Sequence, residues 1–267
     1  MNTVSIIVPT YKPSCYLWEC LDSLRRQTFQ SIEVWIVLNG PREPFELEIQ
    51  SYLVKYALSH FHLLYSKKNG VSAARNLALD NISSGVVMFL DDDDFITPDY
   101  LSNLIANLQH ASISTSKVIS FISKTGHFSE DYITKNFISL HKCMLSAPQC
   151  SSIFSSACAK LIPRELIGNK RFSESLTIGE DAFFMFQLFE KSLQVSFTDK
   201  AIYYRRIRSG SVSHRRYSFF FILRNRMVLI YYYTVFYLIH CKKYSFFFFV
   251  RRLLAIMKST FNLLKRY

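Results

Sequence analysis

Residues 201–267 contain no aspartate and no glutamate, although they carry 14 lysines and arginines. Residues 1–200 are close to balance, with 18 basic against 20 acidic side chains. The net charge of +12 therefore arises entirely in the last quarter of the chain. Two physical regimes are implied: a soluble, enzyme-like portion, and a segment built to meet something negative. The six cysteines (Cys15, Cys20, Cys143, Cys150, Cys158, Cys241) include no C-x-x-C pair and no Cys/His ligand cluster. That argues against a zinc site and a disulfide frame, and predicts reduced, buried thiols in a cytoplasmic protein. Met1 leads straight into Val4–Val8 without a basic or long apolar leader, so secretion is not expected. No internal repeat and no Pro/Gly-rich linker is visible, which makes residues 1–200 one unit. The 49% apolar and 19% charged fractions exclude a disordered polyelectrolyte and are ample for a core.

What is present is an alternation. Val4–Val8, Ile32–Leu38, Phe61–Tyr65 and Val86–Leu90 are short β-branched or apolar runs that read as buried strands. Leu17, Cys20, Leu21 and Leu24 recur at helical spacing between the first two. Ser72–Ile82 reads as a second helix with Ser72 as its N-cap. Thr97-Pro98-Asp99 reads as the start of a third, with Leu101, Leu104, Ile105 and Leu108 on one face. Between Ser112 and Ala157 the pattern is weak and no element is predicted; Gly179–Lys191 regains a helical period. Strands alternating with helices predict an α/β fold with a mostly parallel sheet, whose ligands sit beyond the carboxyl ends of its strands. Three loops should open on that edge: Pro9-Thr10-Tyr11-Lys12, Asn39-Gly40-Pro41 and Asp91-Asp92-Asp93-Asp94.

Four consecutive aspartates at a strand end repel one another beside a buried edge, and a hard cation such as Mg²⁺ relieves that repulsion. In an extended segment Asp91 and Asp93 point the same way and can share one ion while Asp92 points elsewhere. A solvated acidic loop, or a cap for the next helix, is the plain alternative. The position at a strand end favours the ion.

The ordered set of motifs resembles the family-2 glycosyltransferases, inverting enzymes of the GT-A fold. Val4-Ser5-Ile6-Ile7-Val8-Pro9-Thr10-Tyr11 is similar to their opening strand and nucleotide-contacting loop, and Cys20–Leu24 with Gln27-Thr28-Phe29 to the helix that follows. Gly70–Asn76 and Phe89–Asp94 resemble the segment before the metal motif and the motif itself. Ala159-Lys160-Leu161, Arg171-Phe172, Gly179-Glu180-Asp181, Tyr204-Arg205-Arg206 and Gly210-Ser211-Val212-Ser213 complete the match, which spans about residues 4–214. The resemblance implies a Rossmann-like, mostly parallel central sheet flanked by helices over 1–214, with 215–267 as a basic aromatic helical extension. It implies that Pro9, Thr10 and Tyr11 line the nucleotide, with Asn39, Arg75 and Asp92 also on the donor, and that Asp91 and Asp93 hold the ribose and the ion, Mn²⁺ or Mg²⁺, with Asp93 in direct metal contact. Asp181 matches the base that takes the acceptor's hydroxyl proton, on the side of the anomeric carbon opposite the leaving group. Two departures matter. Many relatives end the second strand in two acids and a glycine where this chain has Leu38-Asn39-Gly40, which loosens the expectation of a UDP-sugar. The motif of processive synthases is absent, so addition of one sugar is expected.

In residues 215–267 basic pairs alternate with aromatic blocks: Arg215-Arg216, Phe219–Phe221, Tyr231–Tyr233, Lys242-Lys243, Phe246–Phe249 and Arg251-Arg252. The longest uncharged stretch, Met227–Cys241, is 15 residues, short of the roughly 20 that a spanning helix needs. Rings flanked by cations suit the interface of an anionic membrane. The expectation is peripheral attachment at the inner face of the cell membrane, with no nucleic acid bound. There the acceptor would be a glycan or a polyprenyl-diphosphate-linked saccharide of bacterial surface-polysaccharide assembly. A helical hairpin packed on the main domain is the plain alternative. A nucleotidyltransferase would want a Gly-rich phosphate loop after the first strand, which Pro9-Thr10-Tyr11-Lys12 does not supply. A non-catalytic, membrane-docked nucleotide-sugar-binding protein would have no use for the Glu180-Asp181 pair.

Overall fold

The computed structural model describes residues 3–83, 85–110, 112–123, 125–138, 144–146, 153–191, 193–208 and 217–264. Gly210-Ser211-Val212-Ser213, Arg215-Arg216, Cys143 and Cys150 lie outside them.

The first half is a run of β-α units: β1 (Val4–Thr10), α1 (Cys15–Arg25), β2 (Ile32–Leu38), α2 (Phe45–Lys55), β3 (Phe61–Tyr65), α3 (Val71–Asn81) and β4 (Val86–Phe89). These four strands pair in parallel in the order β3-β2-β1-β4. Val4, Ile6, Ile7, Val8, Val34, Ile36, Val87, Met88 and Phe89 are wholly buried, as both-face coverage of a parallel sheet requires. Leu17, Cys20, Leu21 and Leu24 form the buried stripe of α1.

The second half extends the sheet with β5 (Phe95–Ile96), β6 (Ser112–Ile122), β7 (His127–Glu130), β8 (Met144–Ser146), β9 (Lys160–Pro163) and β10 (Gln194–Arg206). The helices there are α4 (Tyr100–Ala106), α5 (Tyr132–Ile138), α6 (Arg164–Ile167) and α7 (Glu180–Leu188). The main path continues β4-β9-β6-β10-β5, antiparallel at β4-β9, β6-β9 and β10-β5 and parallel at β6-β10. A curled, mostly parallel sheet flanked by helices results, which is the GT-A arrangement.

Several local expectations are corrected. Ser72 is not a cap. The helix begins at Val71 behind Gly70 (φ 115°), and Ser72 is buried in the first turn. The third helix begins at Tyr100 rather than at Pro98, and the Thr97 hydroxyl accepts from Ile202 N–H on β10 instead of capping it. The cysteines are free where described, but Cys15 and Cys241 are exposed; only Cys20 and Cys158 are buried. The weakly patterned segment holds an eleven-residue strand, β6, in which Ser112, Ser114, Thr115 and Ser116 are fully buried. Their hydroxyls find partners: Ser112 donates to Gln109 C=O, Thr115 to Ala159 C=O, and Ser116 meets the Tyr100 hydroxyl. Satisfied hydroxyls make that burial tolerable and remove the hydrophobic pattern that would have announced it.

The basic tail is a hairpin of α8 (Phe219–His240) and α9 (Phe246–Leu264). One face of α8 (Ile222, Asn225, Leu229, Tyr233) is buried, and Tyr233 packs on Phe183 and Phe186 of α7. No helix among the described residues is long and apolar enough to cross a membrane.

Candidate active site

The loops after β1, β2 and β4 meet at the carboxyl edge of the sheet. Asn39 N–H donates to Thr10 C=O at 2.9 Å. Gly40 lies so close to the first loop that a Cβ there would sit 1.7 Å from Tyr11 O, so the position admits no side chain. Pro9, Thr10 and Asn39 are buried, while the Tyr11 ring is 49% exposed at the mouth.

The aspartate run is not an extended segment. Asp94 N–H donates to Asp91 C=O at 3.1 Å, closing a turn that sends the four carboxylates to four different partners. Asp91 accepts from Arg75 at 2.9 Å. Asp92 accepts from the Thr10 hydroxyl at 2.6 Å. Asp93 pairs with Arg208 at 2.7 Å. Asp94 takes the Tyr203 hydroxyl at 2.6 Å and Arg206 N–H at 2.7 Å. Asp91 and Asp93 therefore do not lie on one face of an extended segment, as expected; the turn holds both within one acidic knot. Burial, and then the neighbouring carboxylates, push Asp93 and Asp94 upward. Asp92 is raised to about 6, by burial first, with Thr10 opposing. The knot is electrostatically short of positive charge.

Arg75 joins this knot to a second acidic centre. Its guanidinium is 3% exposed and donates to Asp181 Oδ1 at 2.5 Å as well as to Asp91 Oδ1. Burial alone would lower its pKa; Asp181 and Asp91 more than reverse that and keep the ion charged. Its flat face lies over the Phe172 ring at 5.1 Å. The other oxygen of Asp181 accepts from Ala157 N–H at 3.2 Å. Fully buried Lys160 steadies that segment by donating to Ser156 C=O and Cys158 C=O. Asp181 stands in the first turn of α7, where its charge also suits the helix dipole. Its neighbour Glu180 is raised to about 7, first by loss of water around it and then by Asp181. Next to Arg75, Asn76 ties the two halves together through two 2.9 Å bonds with the Phe172 backbone.

The donor set suits a hard cation. Asp91 keeps 43% of its side chain open, and Asp93 shares its turn, a one-or-two-carboxylate offer that leaves room for phosphate oxygens and water. Among the described residues no cluster of three or more His, Cys, Asp or Glu side chains surrounds a single point.

The family model described as "Glycosyl transferase family 2" matches residues 5–169, more than half of the chain. The chain belongs to that family. This family-2 chain is 30% identical over 223 residues to "Glycosyltransferase GlyA" of Streptococcus pneumoniae serotype 4, covering 79% of itself and 32% of that protein. It is 26% identical to "Minor teichoic acid biosynthesis protein GgaB" of Bacillus subtilis, covering 78% of itself and 23% of that protein. It thus spans about a third and a quarter of these relatives. Among solved structures, S. aureus TarS 1–349 in complex with UDP-GlcNAc superposes with a TM-score of 0.71 at 22% identity, over 87% of this chain and 66% of that one. That likeness is one of fold.

Of the residues singled out in the family-2 sequence, Thr10, Asn39, Arg75, Asp91, Asp92 and Asp181 come together through the bonds above, and Pro9, Tyr11 and Asp93 adjoin them. Four residues that hold the knot were not foreseen as such: Asp94, Tyr203, Arg206 and Arg208. Arg206 donates to Asp93 C=O at 2.8 Å, pairs with Glu19, and lies 4.1 Å over the Tyr16 ring. Tyr203, Arg206 and Arg208 sit more than 100 residues beyond the aspartates, where no local spacing connects them.

Proposed function

We propose that this chain is an inverting glycosyltransferase that moves one sugar from a nucleotide-diphosphate sugar to a hydroxyl of a glycan or lipid-linked saccharide. A UDP-sugar is the favoured donor, and the setting is surface-polysaccharide synthesis. The observation that carries this reading is the Arg75 bridge, which holds Asp91 of the donor-side knot and Asp181 on one guanidinium. Direct displacement needs two such centres side by side, one for the departing group and one for the attacking group. Asp181 would take the acceptor's hydroxyl proton as its oxygen bonds to the anomeric carbon. The bond from that carbon to the diphosphate oxygen breaks, and the nucleotide leaves with the electron pair. Asp91 and Asp93 would hold Mn²⁺ or Mg²⁺, whose chemistry there is to neutralise the charge on the departing diphosphate. Asn39, Thr10, Pro9 and Tyr11 would frame the nucleoside, with Asp92 fixed by Thr10 beside it. The name of GgaB, a minor teichoic acid biosynthesis protein, supports a surface-polymer setting, and the UDP and UDP-GlcNAc complexes of TarS support a uridine nucleotide as the donor class.

The test is nucleotide release. Full-length protein with Mn²⁺ is expected to hydrolyse at least one member of a panel of UDP-, GDP- and dTDP-sugars slowly; neither release nor binding across the panel would sink the reading.

The tail is read as an attachment to the inner face of an anionic membrane. Exposed Phe220, Arg224, Met227 and Tyr231 follow one line along α8, and exposed Phe247, Arg251, Leu254, Lys258 and Phe261 follow one along α9. Apolar anchors alternate there with cations, and the two helices contain no acid of their own, as an anionic interface favours. Deletion of the hairpin would also strip Leu229 and Tyr233 from the core, so point substitutions are the better probe. Arg224→Gln with Lys258→Gln is expected to weaken binding to phosphatidylglycerol vesicles roughly 30-fold, at about 1 kcal/mol per basic residue. Unchanged binding, or equal binding to phosphatidylcholine vesicles, would place the attachment elsewhere.

A further inference from the structure

The turn that delivers Asp181 has little support of its own. Residue Gly179 stands at the N-cap of α7 with φ 92° and supplies no side-chain cap. The support comes instead from the C-terminal hairpin, some forty-five residues further along the chain. Asn225 of α8, 8% exposed, donates to Ile178 C=O at 2.8 Å and accepts from the N–H groups of Thr177 and Ile178 at 3.4 Å. One helical turn on, Leu229 fills the space over Gly179, where a Cβ would come within 2.8 Å of Leu229 Cδ2. The next turns place Tyr232 on Ser175 through a 2.9 Å hydroxyl contact and Tyr233 against the rings of α7. The far end of α7 is held as well, by the Tyr244 hydroxyl donating to Gln187 C=O. The hairpin thus grips both ends of the helix that carries Glu180 and Asp181.

We infer that Asn225 is a positioning residue for the reaction: it fixes the Thr177–Gly179 turn and thereby the aim of the Asp181 carboxylate. This rests on the reading of Asp181 as the base. An amide is suited to the task because one side chain offers both an acceptor for two N–H groups and a donor for a carbonyl. The consequence is that the basic hairpin belongs to the catalytic machinery as well as to whatever surface it meets. Asp181 has Arg75 on one oxygen and Ala157 N–H on the other. A backbone shift of about 1 Å at Gly179 would break that register, and misplacement of that size costs on the order of 10²-fold in rate.

The test uses the full chain with Mn²⁺ and the nucleotide-sugar that the wild type hydrolyses fastest in the panel above. Asn225→Ala is expected to lower kcat by roughly 10- to 100-fold. The donor KM and the affinity for UDP should stay within about twofold, and amide exchange should quicken in residues 176–183 while β1–β4 keep their protection. Asn225→Asp keeps an acceptor for the two N–H groups but sets a carboxylate oxygen against Ile178 C=O in place of the donor, so its kcat should also fall below wild type; it carries the test if the alanine variant does not fold. Wild-type kcat in both variants, or a loss of UDP affinity that matches the loss of kcat, would overturn the inference. Asp181→Asn run alongside separates the two ideas. An active Asp181→Asn removes the base reading, whereas an inactive Asp181→Asn beside a fully active Asn225→Ala removes this one alone.

Discussion

Asp181→Asn is expected to lower nucleotide release and sugar transfer by about 10²–10⁴-fold, the range for loss of a positioned general base. UDP affinity should remain within about twofold, because Asp181 touches Arg75 and Ala157 N–H rather than the loops after β1 and β2. Asparagine preserves the shape and, through its Oδ1, can still accept from Arg75. What it loses is the capacity to hold a proton, together with the acceptor for Ala157 N–H. A variant that keeps more than about a tenth of wild-type turnover would move the base elsewhere, Glu180 first. The same substitution has a signature in stability. Glu180 is raised from its ordinary 4.5 to about 7 by desolvation and by the Asp181 charge beside it. The folded state therefore keeps that proton up to about pH 7, while the unfolded chain sheds it near 4.5. The native form binds more protons in this window, so stability falls as pH rises through it. Removing the Asp181 charge lowers the folded value and narrows the window. Thermal midpoints taken between pH 5 and 7 should accordingly slope less in Asp181→Asn than in wild type; an unchanged slope would mean that the two groups are not coupled.

How much of this was legible in the sequence differs between the halves. β1 and β4 are runs buried on both faces, β2 and β3 are partly so, and with helices such as α1 between them composition and period mark them directly. The acidic knot was legible as a place, at the end of β4, but not as a shape. Four aspartates in a row read as an extended segment, whereas the Asp94 N–H to Asp91 bond bends them into a turn. What bends them lies far off in the chain: Tyr203 and Arg206 of β10 take Asp94, and Arg208 takes Asp93. β6 was illegible because its interior is lined with serines whose hydroxyls are satisfied locally. β10 was illegible because Asp199-Lys200 interrupts its pattern where its pairing with β6 shifts register between Thr198 and Ile202. The tail was legible in charge but not in its inward face. Asn225 looks like an ordinary polar residue between two arginines, and only the α7 turn explains it. Across these gaps the segments are linked by the order of the family motifs and not by local pattern.

Arg75→Met should be the most damaging single change for stability and activity together. The native guanidinium is 3% exposed and answers two carboxylates on different elements. Breaking a buried ion pair by removing one partner costs about 3–5 kcal/mol, because the other charge is stranded. The lower end applies here, since Asp91 keeps 43% of its side chain in water. About 3 kcal/mol corresponds to a fall in Tm of roughly 6–12 °C for a chain of this size. Turnover should fall with it, because Asp181 loses the donor that orients one oxygen. Arg75→Lys separates charge from geometry. An ammonium restores one cation but cannot fork between Asp91 and Asp181 as a planar guanidinium does, so it should recover part of the stability and little of the turnover. The pairing itself is tested by the double substitution Arg75→Met with Asp181→Asn. If the stranded Asp181 charge causes the loss, the double variant should be more stable than Arg75→Met alone. A double variant no more stable than the single, or an Arg75→Met protein that melts within about 2 °C of wild type, would mean that Arg75 does not bind the two centres together. In that case the two carboxylate sites would have to be held in register by the Asn76–Phe172 bonds and the Asn225 contact alone.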